Sequence, residues 1–153
     1  MQTAFITGAG GYIGSQTAVT LAKAEIGIAV CDINEETVNK TVERVRRNGG
    51  NAKGYIADVT DSRDIETAMQ KAAEDFGSLD IMVHIAGGSA RIAGGKYVPL
   101  VEQEDYVIDK VLKVNLYGAF WASRAAARIM IKQGTGGKIV NFASAVGFNG
   151  LAG

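Results

Sequence analysis

Five short apolar runs recur along this chain, each but the last followed by a segment of helical spacing, and that alternation narrows the folds open to it. The runs are Thr3–Thr7, Ile26–Cys31, Ala52–Ala57, Leu79–His84 and Lys138–Phe142. Their length and apolar continuity read as buried strands. Helix is expected from Tyr12 to about Ala24. Asn34 is a good N-cap for the next helix, with Glu35 and Glu36 in its first turn and Gly49 at its end. Asp61 can cap a third, in which Ile65, Met69, Ala72 and Phe76 share a face and Gly77 closes the run. Helix returns from about Gln103 to Ile131, as two helices broken near Asn115. Strands that are apolar throughout are covered on both sides, so they predict a parallel sheet between helical layers. Right-handed crossovers then favour a doubly wound α/β/α fold with strand order 3-2-1-4-5. A length of 153 residues predicts one domain over 1–153.

Composition excludes several functions. Sixteen basic and sixteen acidic residues cancel, so no charge footprint points to nucleic acid or an anionic membrane. One cysteine, Cys31, excludes an internal disulfide framework and fits a reducing compartment. No apolar run approaches the roughly 20 residues of a membrane span. The first residues, Met1-Gln2-Thr3, lead straight into a strand without a basic start or cleavage site, so no signal peptide is expected and the cytoplasm is the expected location. No metal site is expected.

Gly8-Ala-Gly10-Gly11-Tyr12-Ile13-Gly14 lies between the first strand and the first helix. A tight turn, a close approach of phosphate to bare backbone and close helix packing all require residues without a Cβ. The helix N-terminus adds free N–H groups and a positive dipole end, which suits a pyrophosphate. Asp32 ends the second strand, at the distance where a carboxylate accepts hydrogen bonds from the adenosine ribose and repels the extra phosphate of NADP. Ile33 and Asn34 follow it, with no Arg or Lys, so NAD is favoured over NADP. Asp58, after the third strand, fits either a place facing the adenine or a turn and capping role.

Taken together these residues resemble the short-chain dehydrogenase/reductase family, over the whole chain. Thr7-Gly8 to Gly14 is similar to its cofactor loop, and Asp58-Val59 to its adenine-ring pair. His84-Ile-Ala86-Gly87, followed by Gly88, stands where the family usually has Asn-Asn-Ala-Gly or Asn-x-Ala-Gly. Val114-Asn115-Leu-Tyr-Gly118 resembles the helix motif with its catalytic-site asparagine, and Gly137 to Ser144 the strand that delivers its serine. Two features depart from the pattern. The Thr-Gly-x-x-Gly-x-x-Gly spacing puts Tyr12 where single-domain members usually carry glycine, and is commoner in the extended branch with its nucleotide-sugar epimerases. His84 replaces an asparagine that ties the central strands together. It can donate and accept as asparagine does, and as the chain's one histidine it is also a general-base candidate.

The resemblance implies hydride transfer between a nicotinamide and a secondary alcohol or ketone of a small molecule, in a homo-oligomer. It implies that Ser144 hydrogen-bonds the substrate oxygen and that the Asn115 backbone carbonyl holds a relay water. The family's base is a tyrosine with a lysine one turn later, shortly after the serine. After Ser144 this sequence has neither residue. The expectation is therefore that these 153 residues stop before that motif and the C-terminal strands, and do not turn over substrate alone. The fifth strand would then be an exposed edge, the helix carrying Ala119, Ala122 and Ala126 would lack partners, and the chain would be marginally stable or associate. Tyr106 and Lys110 have the Tyr-x-x-x-Lys spacing but precede Asn115 and Ser144, and read as an incidental pair on a solvated helix face. Arg91, Lys96 and Tyr97 lie in the glycine-rich loop that could touch a substrate, and read as solvated. Three readings stand: an NAD-dependent oxidoreductase, a nucleotide-sugar epimerase or dehydratase, and a nucleotide-binding module without catalysis.

Overall fold

The computed structural model describes residues 1–96 and 98–149. Tyr97 lies outside them. A parallel sheet runs through the molecule in the order β3-β2-β1-β4-β5, as the alternation predicts. The strands are β1 (Thr3–Thr7), β2 (Gly27–Asp32), β3 (Ala52–Ile56), β4 (Ile81–His84) and β5 (Lys138–Asn141). Between them run α1 (Tyr12–Ala22), α2 (Glu35–Arg47), α3 (Ser62–Phe76), α4 (Asp105–Leu112) and α5 (Gly118–Gln133), with a short α6 (Val146–Asn149) after β5.

Side chains alternate across the sheet and build two cores. Ala4, Ile6, Ile28, Val30 and Val83 point one way, toward Val19 of α1 and Val38, Val42 and Val45 of α2. Phe5, Ala29, Cys31 and Met82 point the other, toward Ile65 and Met69 of α3 and Ala122 and Ala126 of α5. This two-sided burial is what fixes the register of the central strands. Among the described residues no helix is long and apolar enough to cross a membrane.

The helix ends follow their caps. The Asn34 side chain accepts from the Thr37 amide, 3.1 Å away. Asp61 accepts from the amides of Arg63 and Asp64. Gly77 ends α3 in the left-handed conformation at φ +86°. Such caps are worth about 1 kcal/mol each.

Two expectations are corrected. The helices around Asn115 are not broken. A wide π-helical turn, Lys113–Tyr117, joins α4 to α5 without interruption, and Asn115 sits in it. The small residues of α5 do not lack partners either: Ala122 and Ala126 are fully buried on the sheet side, against α3. What α5 exposes is Phe120 and Ile131. Among the described residues β5 pairs with β4 alone, and its four residues are exposed.

Candidate functional site

The strand order reverses between β1 and β4, and a cleft opens there at the carboxyl ends of the strands, where open α/β sheets place their ligands. Its volume is about 570 Å³.

One wall is the glycine loop. Gly8 adopts φ +65°, and a Cβ there would lie 2.6 Å from the backbone nitrogen of Ala86. A Cβ on Gly14 would meet the Gly8 carbonyl oxygen closer still. The loop is therefore pressed between the Ala86 segment and the first turn of α1, and both contacts are backbone against backbone. Gly11, Tyr12 and Ile13 line the cleft beside Gly8 and Gly14. Gly11 caps α1 without a side-chain hydrogen bond, and the first turn carries no acid. This helix start, unlike those of α2 and α3, leaves its dipole end open toward the cleft.

A second wall comes from β2 and β3. Asp32 and Ile33 line the cleft, and the Asp32 carboxylate accepts from the Gly10 amide at 3.0 Å and the Asn34 amide at 3.3 Å. Gly10 itself is not part of the lining; its place is this bond. Asp58 and Val59 also line the cleft. Asp58 fills the turn role, since its carboxylate accepts from the Thr60 amide at 2.8 Å and shapes the turn into α3.

The third wall follows β4. Thr7 Oγ lies 2.9 Å from His84 Nδ1 and accepts from the amides of Ile85 and Ala86 at 3.3 and 3.4 Å. With both lone pairs of the hydroxyl so used, its proton goes to Nδ1, which leaves the imidazole proton on Nε2. Burial alone pushes the His84 pKa down to about 4, so the ring is neutral. Nε2 has no partner among the described residues. His84 thus holds strands and loop together inside the sheet, and the general-base alternative has no exposed imidazole to work with. Cys31 is in the same polar row, paired with Thr7 across the sheet, and its buried thiol is pushed far above the range in which it ionises.

Beyond Ala86 and Gly87, which line the cleft, Asn115 clamps Gly88. Its Oδ1 accepts from the Gly88 amide at 2.8 Å, and its Nδ2 donates to the Gly88 carbonyl at 2.7 Å. The side chain that the π-helical turn presents therefore sets the course of the loop. Replacing Asn115 by Ala should weaken dinucleotide binding about fivefold, the cost of two hydrogen bonds at a partly exposed site. Calorimetric titration with NADH measures this, and an unchanged affinity would remove the clamp from the binding account.

Ser144 lies apart from this cleft lining. It is exposed, and its Oγ accepts from the Val146 amide at 3.3 Å at the start of α6. Ala57, Ile85, Ile92 and Val114 complete the apolar lining; their parts were not legible from the sequence. Lys110 was read as solvated, yet it is half-buried and lines the cleft.

The profile of the short chain dehydrogenase family matches residues 2–153. The chain belongs to that family. As a short-chain dehydrogenase it is 35% identical over 146 residues to a diacetyl reductase, (S)-acetoin forming, of Staphylococcus epidermidis, covering 95% of this chain and 54% of the relative. It is 40% identical to an uncharacterized oxidoreductase of Thermotoga maritima, with 95% and 55% covered. Among solved structures, a xylitol dehydrogenase with NAD+ bound superposes with a TM-score of 0.90 at 35% identity, covering 98% of this chain and 55% of that one. This short-chain dehydrogenase chain spans about half the length of the relatives it matches.

Proposed function

We propose that the protein is an NAD-dependent oxidoreductase that moves a hydride between the nicotinamide and a small secondary alcohol or ketone. The observation that carries this reading is the Asp32 carboxylate, which lines the cleft at the end of β2 and is followed by Ile33 and Asn34 rather than by a cation. The rest of the cleft fits a dinucleotide. The uncapped start of α1 offers amides to a pyrophosphate, and the glycine loop leaves no side chain in its way.

NAD, when bound, supplies the carbon that accepts or releases the hydride. The chain's own residues have the remaining work. Gly8 to Gly14 hold the phosphates. Asp32 accepts from the ribose hydroxyls and repels a 2′-phosphate. Asp58 and Val59 face the adenine. Ala86, Gly87 and Gly88 form the wall of the nicotinamide half. Ser144 hydrogen-bonds the substrate oxygen, and the Asn115 carbonyl orders a water for proton transfer. The named relatives are a reductase and a dehydrogenase, which favours this reading over a nucleotide-sugar enzyme. A homo-oligomer in the cytoplasm completes the proposal. Ile108, Leu112, Leu116 and Phe120 recur every four residues along α4 and α5 and remain exposed, which supports association.

The test is a pair of titrations with NADH and NADPH. Wild type should prefer NADH, and Asp32→Asn, which keeps an acceptor for the Gly10 and Asn34 amides, should lose roughly tenfold for NADH while keeping or improving its affinity for NADPH. Equal losses for both would overturn the assignment of Asp32 as the selector. Binding of small ketones but not of UDP-sugars to the NADH complex separates the two enzymatic readings.

A further inference from the structure

The charged side chains lining the cleft are Asp32, Asp58 and Lys110. Lys110 is thus the one basic side chain of that lining among the described residues, in a cleft read as the seat of a dianionic pyrophosphate. Its surroundings do not explain it. It is half-buried, and its side chain has no hydrogen bond or ion pair among the described residues. The acid next to it on α4, Asp109, is taken: its carboxylate pairs with Lys113 Nζ at 2.7 Å, one turn on. A lysine head that no carboxylate of the fold engages is available to an anion or an aromatic face placed in the cleft.

Its position says which part of the ligand. Lys110 and Val114 are one turn apart on the same helix face, and both line the cleft. Lys110 also lines a second cavity of about 500 Å³ together with Thr60, the residue after Val59. So Lys110 shares a cavity wall with the turn that follows β3, and shares the cleft with Asp58 and Val59, where the adenosine half is read to lie. Ile92 is shared by both cavities, so the ammonium has open space on either side.

We propose that Lys110 is a cofactor-binding residue that gives the adenosine monophosphate half of the dinucleotide its cationic side-chain contact. This rests on the dinucleotide reading of the cleft. A lysine here engages the adenine face, its ring nitrogens or the adenosine phosphate, all of which attract a cation. Tyr106, one turn before Lys110, flanks the same side cavity.

The experiment compares wild type, Lys110→Met, which keeps the apolar stem, and Lys110→Arg, which restores the charge. Affinities for NADH, AMP and nicotinamide mononucleotide are measured by calorimetry at two salt concentrations. NADH and AMP should weaken about tenfold in Lys110→Met, with a shallower salt dependence, and should recover in Lys110→Arg. Nicotinamide mononucleotide should bind equally to all three. NADH and AMP binding that ignores Lys110→Met overturns this inference and leaves the cofactor reading intact, as does an equal loss for nicotinamide mononucleotide. A wild-type protein that binds neither NADH nor AMP overturns the cofactor reading, and this inference with it.

Discussion

Gly14→Ala should abolish dinucleotide binding and destabilise the fold in one step. The new methyl would be placed 2.2 Å from the Gly8 carbonyl oxygen and 2.7 Å from the Ala9 Cα. Neither is the tip of a flexible side chain, so relief requires that α1 move away from the loop. Overpacking of this kind costs about 3 kcal/mol where backbone must shift. The same displacement pulls the helix start off the phosphate position and widens the loop that Gly8 holds against Ala86. The expected result is a fall in the urea midpoint together with at least a hundredfold loss in NADH affinity. A variant with wild-type stability and affinity would mean that α1 does not depend on this contact.

The second large effect is in pH. His84 is neutral in the fold, with its pKa depressed to about 4 by burial, against 6.5 for a solvated imidazole. As pH falls through 6.5 the unfolded chain takes up a proton that the folded chain refuses. Stability contributed by this site is therefore complete above about pH 7 and is lost progressively down to about pH 4. Between pH 7 and pH 5 the loss should be about 2 kcal/mol. Other groups titrate in the same range, so the measurement is a difference. His84→Asn retains a hydrogen-bonding side chain and removes the proton. Urea unfolding at the two pH values should show wild type losing about 2 kcal/mol more than the variant. Parallel losses would show that His84 does not titrate as its burial implies. Protonation would also disturb the loop, because a proton on Nδ1 reverses the Thr7 hydroxyl, which now serves Ile85 and Ala86.

The architecture was legible because the strands are apolar on both faces, and such runs fit only a sheet covered twice. Helix ends were legible wherever a cap is chemical, as at Asn34, Asp61 and Gly77. The join at Asn115 was not. A π-helical turn keeps the apolar period almost intact while adding one residue, so its sequence looks like a weak helix break. Within the cleft, the glycine loop and Asp32 could be read from local spacing, since a short strand-turn-helix unit fixes their relative places. Lys110 could not. Its approach to Thr60 depends on how α4 packs across the cleft, 50 residues away in sequence, and the nearby Asp109–Lys113 pair makes the segment look like an ordinary solvated face. The clamp of Asn115 on Gly88 also joins distant residues. There the resemblance supplied the residue and the structure supplied a further task for its side chain.

The two amides that Asp32 holds have a consequence for anyone wishing to retool this protein. One carboxylate fastens the glycine loop to the entry of α2, and in the proposed reading it also faces the ribose, so there cofactor preference and local architecture share a single side chain. Exchange of Asp32 for a lone arginine removes the acceptor for Gly10 and Asn34 along with the negative charge. A successful conversion to NADP needs two edits: a small acceptor such as Ser or Asn at position 32, and the new cation placed at Ile33, where the chain is already open to solvent.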